Sequence, residues 1–170
     1  FRFSSAAYLD FIAGHDLEFK PGSKHKYSNT NYLLLALIAD AITGDQAKYI
    51  REQIFAPLGL KNSYYRDQLS YLDHPALVNS YWDRFSNGQI ENVSKMQKVN
   101  VASLAGDDGI VCTPLDAVGF LKGFLEGKIL ATSTVNLMKS WVKDEQGKEV
   151  YGLGLYLGDH QGKPAIGHGG

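Results

Sequence analysis

The stretch 30–43 limits the possible folds more than any other part of the chain. Leu33, Leu34, Leu37, Ile38, Ala41 and Ile42 recur at the helical period, and Leu35, Ala36 and Ala39 fill most of the remaining surface. The pattern predicts a helix over 30–43, stopped by Gly44. A helix that is apolar almost all round must be covered on most sides. The other segments of this 170-residue chain do not obviously supply that cover. The chain also begins at Phe1 without an initiator Met and stops at Gly170, just after a run that reads as a strand. The expectation is therefore about half of a larger domain, whose remainder is the chain's first partner.

The rest of the chain reads as helices first and strands last. Ser4 or Ser5 opens a short helix reaching about Ile12, and Pro21-Gly22 marks a turn. Asp45 caps a helix over 46–55 with Ala47, Ile50 and Ile54 inward, ended by Pro57 and Gly59. Asn87-Gly88 suits a hairpin between 78–84 and 90–93. Residues 109–112 read as a short buried strand, with Cys112 a small apolar core residue. Thr113-Pro114-Leu115-Asp116 then opens a helix to about Leu125, with Thr as cap and Pro at the first helical position. A further helix is expected over 134–141, a strand over 150–157, a turn over 159–162 and a returning strand over 165–168. This order predicts an α+β fold rather than alternating βαβ units. Residues 1–145 form a mainly helical part with a small hairpin, and 146–170 a terminal strand pair.

Several function classes fall away. A formal charge of −1 lacks the basic footprint of a nucleic-acid binder. The longest apolar run, 32–39, is too short to span a membrane. The five histidines form no HExxH pair, and a single cysteine excludes cysteine-based metal sites, so neither metal nor cofactor is expected. There is no glycine-rich phosphate loop and no GxSxG elbow.

The chemically informative segment is Tyr27-Ser28-Asn29-Thr30-Asn31-Tyr32, directly before the apolar helix. A phenol and a carboxamide two residues apart at a helix entrance can be aimed into one cleft and held there by the helix behind. The other reading makes Asn29 or Thr30 a helix cap and Tyr27 a packing residue. Spacing alone favours this second reading. For Asp107-Asp108, turn and cap duties outweigh an acidic catalytic pair. His25 shares a face with Tyr27 if that stretch is extended, but reads first as a solvated surface histidine. Tyr64-Tyr65, Tyr81-Trp82 and Phe85 read first as core packing, with a cleft lining as the alternative.

Pro21-Gly22, Tyr27-Ser28-Asn29, Tyr32, Thr43-Gly44 and Pro57-Leu58-Gly59-Leu60 stand in the order seen in the serine beta-lactamase and DD-peptidase superfamily. Residues 105–116, Tyr151-Gly152-Leu153-Gly154 and Gly167-His168-Gly169-Gly170 extend the resemblance to the C-terminus. The chain most resembles the class C beta-lactamase-like branch, which also holds esterases and D-aminopeptidases. The resemblance implies a beta-lactamase/transpeptidase-like fold, with this chain giving the helical lobe and part of an antiparallel sheet. It implies a serine hydrolase that opens a beta-lactam, D-amino-acid peptide or ester through an acyl-enzyme. Tyr27 matches the proton-shuttling tyrosine. Asn29 matches the amide that bonds the motif lysine and the substrate. His168 matches the first position of the third motif, facing the substrate or the tyrosine. Gly169 and Gly170 match the bare strand edge along which substrate backbone lies. Bacterial relatives are often exported, which the resemblance alone carries over.

The departure concerns the nucleophile. The family's Ser-x-x-Lys lies well upstream of Tyr-x-Asn, at the start of a helix. Here Ser23-Lys24-His25-Lys26 follows a Pro-Gly turn in an extended stretch, where positions three apart face opposite ways. Ser140-Trp141-Val142-Lys143 sits at a helix C-terminus, the wrong end for an oxyanion. The nucleophile is thus expected outside these residues. The alternative is a non-catalytic relative that keeps the cleft to bind peptides or peptidoglycan-like ligands.

Overall fold

A computed structural model describes residues 5–65, 72–101 and 105–169. The described residues fall into two compact units. The first takes its residues from Phe1–Gly14, Ser28–Arg51 and Asn62–Cys112, the second from His15–Tyr27, Glu52–Lys61 and Thr113–Gly170. Among the described residues, helices and two antiparallel sheets give the α+β composition that the pattern predicted.

In the first unit a 3₁₀ helix, Ser5–Phe11, precedes α1, Asn29–Thr43. Gly44 stops α1 in the left-handed conformation, φ 78°, and its N–H donates to the Asp40 carbonyl. The Asp40 carboxylate accepts from the Gln46 N–H, and Asp45 accepts from the Lys48 N–H at 2.9 Å. These two carboxylates satisfy orphan amides at the start of α2, Gln46–Ile50. The core around α1 is Leu33, Ala36 and Ala105, with Tyr8, Leu9 and Leu37 packed against it. Leu35, Ile38 and Ile42 of α1 remain exposed, at 57%, 54% and 79%. The apolar surplus read in the sequence is therefore real, and most of it faces solvent.

The helix after Asp45 differs from the expectation of one regular helix. It widens into a π-helical turn, Arg51–Phe55, and closes with α3, Ala56–Leu58, before left-handed Gly59. Pro57 explains the widening. It has no N–H to give, and its ring would crowd the carbonyl one turn back in a regular α-helix. The Leu60 N–H then returns to the Phe55 carbonyl at 2.9 Å.

The hairpin expected around Asn87-Gly88 forms with shorter strands. Tyr81–Trp82 (β1) pairs antiparallel with Glu91–Asn92 (β2). Its loop is longer than a two-residue turn, because Asp83 organises it. The Asp83 carboxylate accepts from the Asn87 and Gly88 N–H groups at 3.0 and 2.8 Å. Those bonds, Gly88 first, hold its pKa below the ordinary carboxylate value. A depressed folded pKa means the loop's stabilisation is complete above the unfolded value and is lost only as pH falls through the folded one. The Asn87 and Gly88 amide shifts should therefore titrate below the ordinary Asp range, and in Asp83→Asn that titration should vanish.

Helix α4, Ser94–Val101, has no counterpart in the sequence reading, since its residues carry little apolar periodicity. Residues 109–112 form a single bridge, Val111 to Tyr64, rather than a buried strand. Cys112 is exposed, which corrects its reading as a core residue. Alternation is the reason: with Val111 turned toward its partner, Ile110 and Cys112 face outward. Tyr65 is a core residue, 3% exposed, whereas Tyr81, Trp82 and Phe85 are exposed.

In the second unit α5, Pro114–Leu125, starts as predicted, with Thr113 accepting from the Asp116 N–H at 3.2 Å. Helix α6, Thr132–Met138, ends earlier than expected, and the Leu153 N–H takes the freed Met138 carbonyl at 2.9 Å. Phe124, Val135 and Leu155 form the core, with Leu121, Met138, Trp141 and Ile166 packed on it. The sheet runs β3 (Val142–Lys143), β4 (Glu149–Tyr151), β5 (Tyr156–His160) and β6 (Lys163–Gly167), each antiparallel to the next. The expected single strand over 150–157 is thus a hairpin of β4 and β5. At Gly152 a Cβ would collide with the Met138 carbonyl oxygen, and Gly154 takes φ 77°, so the chain must turn there.

Candidate active site

Tyr151 pairs with Tyr156 across β4 and β5, and Tyr156 pairs with Gly167 across β5 and β6. His168 follows immediately after β6, an edge strand of the sheet among the described residues. The register therefore delivers His168 to the two tyrosines. Its ring centroid lies 4.8 Å from that of Tyr156. Its Nε2 lies 3.1 Å from the Tyr151 hydroxyl.

Tyr27 reaches the same place from an irregular segment of the same unit. Pro21-Gly22 turns the chain, with Gly22 at φ 78° and the Ser23 N–H donating to the Lys20 carbonyl at 3.0 Å. The segment then runs without helix to Ser28. Tyr27 is half-buried, with its ring 5.8 Å from His168, 6.1 Å from Tyr151 and 6.4 Å from Tyr156. His25 stacks on Tyr151 at 4.9 Å and 23° from parallel. Tyr27 and His25 thus do meet one partner, as an extended strand segment with period two allows. Two separate chain segments thus bring together three phenols and two imidazoles, groups able to pass protons and hydrogen bonds.

The sequence-predicted site residues sort as follows. Tyr27 and His168 come together. Gly169 continues from His168 and accepts from its Nδ1. Gly170 lies outside the described residues. Asn29 belongs to the first unit, as the first residue of α1. The cap is Ser28, not Asn29 or Thr30. Asn29 is exposed, at the edge of a cavity of about 170 Å³ that Tyr8, Phe11, Leu33, Ala105 and Asp107 also line. Asp108 accepts from the Gly109 N–H at 2.7 Å, the turn duty expected of it.

Both Ser-x-x-Lys sequences are unsuited to catalysis as placed. The Ser23 hydroxyl donates to the Lys20 carbonyl at 2.6 Å, while Lys26 pairs with Glu18 and Lys24 lies over the Phe19 ring. Ser140 follows the end of α6, and Lys143 is in β3.

Tyr151 is the residue that sequence reasoning passed over as a site member. It is 6% exposed and sits against Tyr27, His25, Tyr156 and His168. The available signal was its place at the head of Tyr151-Gly152-Leu153-Gly154. Two glycines after a tyrosine mark a tight approach that fixes the residue before them.

Comparison with known proteins bears on the family and the fold. A putative D-alanyl-D-alanine carboxypeptidase of Escherichia coli strain K12 is 40% identical over 62 residues, 36% of this chain and 14% of that protein. A D-stereospecific amidohydrolase from Streptomyces superposes with a TM-score of 0.87 at 25% identity, covering 99% of this chain and 50% of that one. The D-amino acid amidase of Ochrobactrum anthropi SV3, complexed with L-phenylalanine amide, gives 0.78 at 24% identity, covering 99% and 49%. The chain thus spans about half the length of these solved structures. The beta-lactamase family model matches residues 2–170. With that match over nearly every residue, the chain belongs to the beta-lactamase family, in the class C-like part of the DD-peptidase superfamily.

Proposed function

We propose that the protein carrying this chain is a serine hydrolase that cleaves an amide or ester bond next to a D-configured residue through an acyl-enzyme. The observation that carries the reading is the meeting of Tyr27 and His168 around Tyr151 at one end of the sheet. The names of the Streptomyces and Escherichia relatives support a D-amino-acid amide or peptide over a beta-lactam.

On this reading the nucleophilic serine lies outside these 170 residues, because Ser23 and Ser140 are committed to turn and helix-end structure. Tyr27 takes the serine proton during attack and returns it to the leaving amine. Asn29 bonds the substrate's amide and the lysine of the nucleophile motif. His168 faces the substrate or Tyr27 from the end of β6. Gly169 and Gly170 leave the strand edge bare, so that substrate backbone can lie along it.

The test is turnover by the intact protein of matched D- and L-phenylalanine p-nitroanilides, with a penicillin as third substrate. The expected result is hydrolysis of the D-anilide well above both others. Faster penicillin hydrolysis would move the substrate class to beta-lactams. No turnover, with tight binding of the D-amide, would favour the binding relative.

A further inference from the structure

We infer that Tyr151 is a positioning residue that holds the His168 ring in the tautomer with its proton on Nδ1 and its Nε2 against the phenol. His168 Nδ1 lies against the Gly169 carbonyl oxygen, which can only accept. Nδ1 therefore bears the hydrogen. In the neutral ring Nε2 then holds a lone pair, and the Tyr151 hydroxyl, 3.1 Å away, donates to it. When the ring gains a proton, Nε2–H donates to the same phenol oxygen after the hydroxyl rotates. His168 can thus change charge without moving.

Tyr151 is built to hold that position. Its ring is stacked on His25 and edge-on to Tyr156, with centroids 4.9 and 4.7 Å away. It is 6% exposed. The next residue, Gly152, is pinned against the Met138 carbonyl and Trp141, leaving no room for even a Cβ. The Gly152 N–H also donates to the Leu155 carbonyl at 2.8 Å, closing the turn that places Tyr151 opposite Tyr156. A phenol held this rigidly fixes the orientation of the imidazole beside Tyr27, while the Gly169 carbonyl keeps the proton on Nδ1.

The consequence for catalysis rests on the hydrolase reading; the tautomer does not. Two measurements on the intact protein separate them. Long-range ¹H–¹⁵N correlation of the His168 ring should show a protonated Nδ1 and a hydrogen-bonded, unprotonated Nε2 in the neutral state. In Tyr151→Phe, which keeps the ring and loses the hydroxyl, the Nε2 signal should shift toward that of a ring without a donor. D-anilide turnover should fall about tenfold in kcat with KM little changed, the loss of one hydrogen bond. A neutral wild-type ring protonated at Nε2 overturns the inference, as does a Tyr151→Phe spectrum unchanged at Nε2. A shifted spectrum without turnover of any substrate by the wild type would sink the hydrolase reading and leave the inference standing.

Discussion

Tyr27→Phe should lower kcat for D-anilide hydrolysis by about 10²- to 10⁴-fold, the usual loss when a positioned acid–base group is removed. The phenyl ring keeps the packing against His168, Tyr151 and Tyr156, whose centroids lie within 6.4 Å. KM should change little, because the hydroxyl acts on the proton in flight and not on substrate already bound. Burst kinetics would locate the loss. A proton shuttle serves both acylation and deacylation, so both rates should fall. A variant within threefold of wild type would remove Tyr27 from the chemistry and return it to a packing role.

The largest effect on stability is expected at Gly106. Its φ is 83°, and an added Cβ would overlap the Tyr32 carbonyl oxygen and the Ala36 Cβ of α1. Its N–H also donates to the Tyr65 hydroxyl at 3.1 Å. Gly106→Ala therefore combines a left-handed backbone with a clash against helix backbone that cannot yield. The combined cost should be about 3 kcal/mol or more. Gly22→Ala separates the two contributions, since Gly22 has φ 78° but nothing within 4 Å of the added carbon. It should cost only about 1 kcal/mol. Urea unfolding of both variants in the intact protein measures the difference. Equal midpoints would mean that α1 gives way to the new methyl group.

The contrast between these two glycines also explains what could be read from the chain. Local signals held. Thr113-Pro114-Leu115-Asp116 starts α5, Gly44 stops α1 and Asp45 caps α2, because each signal acts within one turn of backbone. Features set by distant partners did not show. The break between β4 and β5 depends on the Met138 carbonyl, fourteen residues before Gly152. The exposure of Cys112 depends on Val111 pairing with Tyr64. The position of α4 has no apolar period to announce it. The site divides the same way. Tyr27 and His168 stood out through their motifs. Tyr151, which touches both, carried only the weaker signal of the glycines after it, and its place shows once register brings three strands into line.

The account stands or falls on an acyl-enzyme formed beside Tyr27. The direct measurement is the mass of the intact protein after exposure to an alkyl fluorophosphonate, followed by peptide mapping. The account predicts one adduct, on a serine outside these 170 residues that begins a helix and has a lysine three positions on. An adduct on Ser23 or Ser140, or a folded protein that takes no label at all, would contradict it.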